Sequence, residues 1–177
     1  MNPVQQRILI CLISVGLPTA TMHLSDAGAL DVKQLSFYHT HTNEKLDIVY
    51  FENGEYVASA LEEINRFLGD FRTGDTTVMD PGLLDLIYDI RETLGSHGTY
   101  EVISAYRSPK TNEMLRATGG GVARNSQHLL GTAIDVRLED IPIAVLRDTA
   151  LAMQRGGVGF YKQSDFVHID TGRVRRW

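Results

Sequence analysis

Ser126-Gln127-His128-Leu129-Leu130-Gly131-Thr132-Ala133-Ile134-Asp135 is the stretch on which the fold of this chain turns. It opens with polar residues suited to a loop, breaks at Gly131 and runs into an alternating segment, Thr132 to Leu138. Successive side chains of a strand point to opposite faces. Ala133, Asp135 and Arg137 therefore share one face, while Ile134, Val136 and Leu138 point into the core. A carboxylate set between Ile134 and Val136 is costly to bury alone. Asp135 thus asks for a cation or strong donors, and a metal, Arg107 or Arg137 can each answer. His128 lies an odd number of residues before Asp135, so an unbroken strand cannot aim both inward. Gly131 permits the bend that lets a loop His and a strand Asp converge. Ala133 is small enough to leave room for an ion on the Asp135 face.

A second alternating segment is Asp165-Phe166-Val167-His168-Ile169-Asp170. Phe166, His168 and Asp170 share a face, and Val167 and Ile169 are core. If the two strands are neighbours, His168 joins His128 and Asp135. Two imidazoles and one carboxylate with a fourth position open to water are a catalytic zinc set. Zinc there would lower the pKa of a water and polarise a carbonyl, so the reading is a metal-dependent hydrolase. A base must take the proton. Asp165 and Asp170 flank His168, and the preferred assignment makes Asp165 the base while Asp170 orients a ligand imidazole.

Outward from these strands, the spacing predicts a framework of helices and further strands. Ser36-Phe37-Tyr38 and Leu46 to Phe51 flank the polar turn Thr42 to Lys45, which reads as a hairpin. Leu61, Ile64, Phe67, Leu68 and Phe71 recur at helical spacing across Ala58 to Phe71. Asp80-Pro81 and Ser108-Pro109 are helix starts, ending near Gly95 and Ala117. Tyr100 to Ala105 is a strand, Pro142 opens a helix through Arg155, and Val158 to Tyr161 is a short strand. Gly119-Gly120-Gly121 reads as a mobile loop at a cleft edge; no Lys-Ser/Thr follows, which excludes a phosphate loop. The fold class is α+β, with helices packed on a small, mostly antiparallel sheet.

The chain has 177 residues, enough for one domain, placed at residues 32–177. Apolar residues make up 43% and the net charge is -5, which gives no support to a nucleic-acid partner. The basic run Arg173-Val174-Arg175-Arg176-Trp177 reads as a solvated end, with an anionic polymer as its other possible partner. Residues 1–25 have the layout of a secretory signal: Arg7, the apolar run Ile8 to Ile13, then Pro18-Thr19-Ala20. A retained anchor is the other reading, and the run is short for a membrane span. Cys11, the only cysteine, lies inside that segment, so a processed chain has no thiol nucleophile. His39 and His41 share a strand face without a third ligand and read as surface residues near a turn. Ser126 reads as a support of the His128 loop.

The pattern Ser-x-His-x-x-Gly-x-Ala-x-Asp, followed by an acid-x-x-His element, resembles the zinc D-Ala-D-Ala peptidases, which group with lysostaphin-type enzymes and the hedgehog signalling domain. Within that group it is most similar to the murein endopeptidase K branch. The resemblance spans residues 32–177. It rests on Ser104 to Pro109, Ser126 to Asp135, Gly156 to Gly159 and Phe166 to Gly172. It implies zinc on His128, Asp135 and His168, and hydrolysis of peptide cross-links in bacterial peptidoglycan in the periplasm or otherwise outside the cytoplasm. Endopeptidase action is favoured over D,D-carboxypeptidase action. Asp165 falls where the D-Ala-D-Ala peptidases carry an acidic base. Arg107 falls on an Arg that holds substrate and stabilises negative charge, as a guanidinium can; the alternative is a structural Arg. The hedgehog likeness keeps a non-catalytic, metal-containing cell-wall peptide-binding module as the rival reading.

Overall fold

Alternating apolar residues become strands here, and the strands of the described residues all join a single sheet. The computed structural model describes residues 31–119 and 122–177. The expected signal or anchor, Gly120 and Gly121 lie outside the described residues. Among the described residues the strands are β1 (Lys33–His39), β2 (Lys45–Glu52), β3 (Glu55–Tyr56), β4 (Tyr100–Ser104), β5 (Ala133–Leu138), β6 (Gly157–Tyr161), β7 (Phe166–Asp170) and β8 (Arg175–Arg176). The helices are α1 (Ala58–Phe67), α2 (Pro81–Thr93), α3 (Pro109–Ala117) and α4 (Ile143–Met153), with a 3-10 turn at Gln127–Leu130. The sheet runs β3-β2-β1-β4-β5-β7-β6-β8. Only β1/β4 and β6/β8 pair in parallel. The α+β class and the mostly antiparallel sheet are as expected. The sheet is wider than the small one expected, because β3 and β8 add an edge strand on each side. Arg175 and Arg176 of the basic run read as a solvated end form β8.

One sheet face is covered by helices: α1 packs on β2, α2 on β1, and α4 on β5, β6 and β7. The core between them includes Leu35, Phe37, Ile64, Leu84, Ile87, Tyr100, Ile134, Val136, Val167 and Ile169, each essentially buried. The apolar faces of β5 and β7 therefore point where their alternation placed them, which leaves Asp135 and His168 on the other face.

Helix starts follow their caps. Asp80 accepts from the Gly82 N–H (2.9 Å) and Ser108 Oγ from the Thr111 N–H (3.2 Å), each ahead of a first-turn proline. The side-chain acceptors satisfy helix N–H groups that have no partner within the helix. α1 stops at Phe67, short of the expected Phe71. The cause is Asp70, whose Oδ1 accepts from the Arg72 N–H (3.0 Å) and whose Oδ2 accepts from the Ser108 N–H (2.9 Å). That carboxylate turns the chain and ties the end of α1 to the start of α3.

Candidate metal centre

The cross-strand register sets up a row of residues on the open face of the sheet. Ser104 of β4 pairs with Asp135 of β5, Asp135 with His168 of β7, and His168 with Gly159 of β6. Trp177 continues the row beyond β6: its N–H donates to Val158 O (3.3 Å) and its O accepts from the Phe160 N–H (3.1 Å).

His128 reaches this row from the 3-10 turn. Ser126 Oγ accepts from the His128 N–H (3.3 Å), and the His128 carbonyl accepts from the Arg107 N–H (3.1 Å). Gly131 closes the turn in the left-handed region (φ 69°), where an added Cβ would lie 2.6 Å from Val78 O. The bend therefore needs glycine for its conformation and for space.

The ring orientations decide the chemistry. His128 Nδ1 lies 2.6 Å from the Ala105 carbonyl oxygen. A carbonyl only accepts, so Nδ1 carries the proton and Nε2 is bare. His168 Nε2 lies 2.8 Å from Asp170 Oδ2 and donates to it, so the neutral ring presents Nδ1 as a lone pair. The two bare nitrogens are 3.1 Å apart. Asp135 Oδ1 is 2.8 Å from His168 Nδ1 and 3.2 Å from His128 Nε2. Three lone-pair atoms thus form a nearly equilateral triangle. Tetrahedral ligands at about 2.0–2.1 Å from a zinc-sized ion stand about 3.3–3.4 Å apart, so a divalent cation fits with a small widening. The three residues are at most 6% exposed.

Burial pushes the Asp135 carboxyl up, and the adjoining imidazoles of His128 and His168 outweigh it, holding Asp135 well below the usual carboxylate range. Burial lowers the His168 pKa, and hydrogen bonds to Asp135 and Asp170 more than reverse it; the proton that Nδ1 shares with Asp135 stands where a cation would bind. Two carboxylates around one imidazole make a locally anionic site that favours a cation.

Above the triangle opens a cleft of about 280 Å³, walled by Arg107, Ser126, Gln127, Tyr161, Phe166 and Trp177 among others. Arg107 is buried. Its Nη2 donates to Ser104 Oγ (3.3 Å) and stands 3.6 Å from Asp135 Oδ2, while its Nε has no partner among the described residues.

The two carboxylates considered as base are placed differently from each other, and neither lines the cleft. Asp170 is 0% exposed and fully engaged. Its Oδ1 accepts from the Gly157 and Gly172 N–H groups, and both oxygens accept from Arg175. Asp165 is not brought to the triangle. It sits in the β6–β7 turn at φ 55°, with a side chain 60% exposed and 3.2 Å from Arg137 Nη1. Arg137 shares the Asp135 face farther along β5, pairs with Glu101 as well, and draws Asp165 outward. His39 and His41 also differ from expectation. His39 is 1% exposed, edge-on to Phe67 and Phe71, and only His41, stacked on Phe71 (4.2 Å), is exposed. Sequence reasoning missed Tyr161, Arg175 and Trp177. The alternation Gly157, Gly159, Tyr161 on the His168 face was the available signal.

Residues 27–177 match the family described as peptidoglycan L,D-endopeptidase MepK. The chain is 37% identical over 175 residues to peptidoglycan L,D-endopeptidase MepK of Escherichia coli K12, covering 97% of this chain and 96% of that protein. It is 38% identical over 144 residues to a probable peptidoglycan L,D-endopeptidase MepK of Haemophilus influenzae, covering 81% of this chain and 77% of that one. With a His-Asp-His triangle fit for a metal at its centre, the chain belongs to the MepK family of peptidases.

Proposed function

We propose that this protein is a zinc-dependent murein endopeptidase that hydrolyses peptide cross-links of peptidoglycan, the activity for which its relatives are named. The observation that carries the reading is the convergence of His128 Nε2, Asp135 Oδ1 and His168 Nδ1 beneath an open cleft. Such a substrate lies outside the cytoplasm, so residues 1–25 serve as an export signal and residues 32–177 as the working unit. No helix among the described residues is long and apolar enough to cross a membrane.

His128, Asp135 and His168 would hold the zinc ion, which would supply Lewis acidity to a scissile carbonyl and lower the pKa of a water. The chain's own groups do the rest. The Ala105 carbonyl and Asp170 fix the tautomers of His128 and His168. Arg107, prepaid in position by Ser104 and Asp135, offers its guanidinium to the oxygen on which negative charge develops. The Tyr161 hydroxyl accepts from Trp177 Nε1 (2.9 Å). An indole N–H can only donate, so the phenolic proton stays free to donate into the cleft. We read Asp165 as the ion-pair partner of Arg137 and Asp170 as the orienting group.

The test is direct. Purified protein should carry about one zinc per chain and shorten cross-linked muropeptides, with chelator abolishing and added zinc restoring the activity. A His128→Ala variant that cleaves at the wild-type rate would overturn the reading. Among the described residues Asp135 is the only carboxylate on the cleft wall. That observation favours, as second reading, a metal-containing module that binds cell-wall peptides without cutting them. Metal-loaded protein that retains muropeptides intact is its signature.

A further inference from the structure

β8 does not touch β7; β6 lies between them. Neighbouring strands are about 4.8 Å apart, so a β8 side chain must cross a full strand to reach His168 or Asp170. Two β8-side residues do so, and each crosses over a glycine. Arg175 pairs with Gly157, and its guanidinium grips Asp170 with two parallel bonds, Nη1 to Oδ1 (2.9 Å) and Nη2 to Oδ2 (2.7 Å). A Cβ on Gly157 would run into that guanidinium and come within 2.5 Å of Asp170 Oδ2. Trp177 lies over Gly159, where a Cβ would sit 2.6 Å from the indole, and its ring centre is 5.1 Å from that of His168. The Arg175 guanidinium also sits over the Trp177 ring (4.9 Å).

We infer that Arg175 and Trp177, reaching across β6 through the gaps left by Gly157 and Gly159, are positioning residues that hold His168 with Nδ1 toward the metal. Arg175 grips both oxygens of the wholly buried Asp170 and so holds Oδ2 aimed at His168 Nε2–H. Trp177 covers one side of the same ring and blocks its rotation. Outer partners of a ligand His set its tautomer and basicity. Here that partnership extends one group farther, to an arginine on an edge strand. The inference rests on the metal reading and deepens it.

The test titrates metal-free full chain with Co²⁺, reading the visible absorption of the bound ion and the quenching of Trp177, the only tryptophan in the chain. Arg175→Met should weaken Co²⁺ affinity by roughly 10- to 100-fold, the loss typical of an outer partner, and alter the absorption bands. Arg175→Lys, which restores a cation beside Asp170, should recover part of the affinity. Gly157→Ala should reproduce the loss with Arg175 intact. Wild-type protein that binds no Co²⁺ would bring down the metal reading and this inference together. Wild-type binding with unchanged affinity and spectrum in Arg175→Met, or in Gly157→Ala if the Met variant does not fold, would overturn this inference alone.

Discussion

Asp85 and Asp135 are both withdrawn from solvent, both hold a depressed pKa and both collect several polar partners, yet they belong to different kinds of structure. Asp85, on α2, accepts from Lys33 Nζ (2.7 Å), Tyr50 OH (3.0 Å) and Tyr56 OH (2.6 Å). Every partner brings a proton, and one ammonium balances one carboxylate. The cluster ties β1, β2 and β3 to α2 and is complete. Asp135 faces His128 Nε2 and His168 Nδ1, whose rings spend their protons on Ala105 O and Asp170. As neutral rings these partners present lone pairs, and the Arg107 guanidinium, 3.6 Å from Oδ2, is the donor beside them. Donors around a buried carboxylate make a staple; imidazole lone pairs beside it make a ligand set for a cation.

The largest effect should come from breaking the acceptor cluster. Asp135→Ala or His128→Ala removes a ligand, and metal content and muropeptide cleavage should both fall by more than the roughly 100-fold that loss of an outer partner costs. Asp85→Asn should leave metal content per chain unchanged. Metal analysis beside a cleavage assay reads both, and equal metal loss in the two variants would erase the distinction.

Arg107→Ala comes next. It leaves the three ligand atoms in place and removes the guanidinium beside them, so kcat/KM should drop by about 10²–10³, as for loss of one oxyanion donor. Zinc content should hold. If zinc is lost in step with activity, Arg107 is a structural partner of Asp135 instead.

The contrast between the two carboxylates also marks what was legible before the structure. Period-two alternation placed Ile134, Val136, Val167 and Ile169 in the core and Asp135 and His168 on the open face, because a strand's facing is a local property. Gly131 likewise announced its bend locally. Register is not local: alternation gave Arg137 and Asp165 no address, and only the β5–β7 pairing brings them together. β8 has two residues, too few for any periodicity, so its two arginines and the Trp177 beyond it read in sequence as a solvated tail. His39 was misjudged for the same reason, since the residues that bury it come from the far end of α1 and the turn after it.

Asp85 should affect stability and not chemistry. Burial pushes its carboxyl up, and the hydrogen bonds from Lys33, Tyr56 and Tyr50 outweigh that, leaving the pKa below its ordinary 3.8. A depressed folded pKa means that the stabilisation is complete above the unfolded value and disappears as pH falls through the folded one. Asp85→Asn should cost about 1–3 kcal/mol at pH 7, seen as a lowered melting temperature. The gap from wild type should hold down to about pH 4 and narrow below it. A gap independent of pH would mean that packing, not charge, is what Asp85 supplies.

The smallest effect should be that of Asp165→Ala, and it bears most on how the reaction runs. The Asp165–Arg137 pair is exposed on the turn side, and Arg137 retains Glu101 when Asp165 is gone. An exposed pair of this kind contributes about 0–1 kcal/mol, so melting should hardly move. As a proton acceptor Asp165 would matter far more: general acid–base catalysis is worth about 10²–10⁴-fold in rate. A variant cleaving muropeptides within about two-fold of wild type, against that range, separates the ion pair from the base. A hundred-fold drop in kcat with metal content and KM held would return Asp165 to the proton path. It would also require the β6–β7 turn to carry that carboxylate from Arg137 to the cleft when substrate binds.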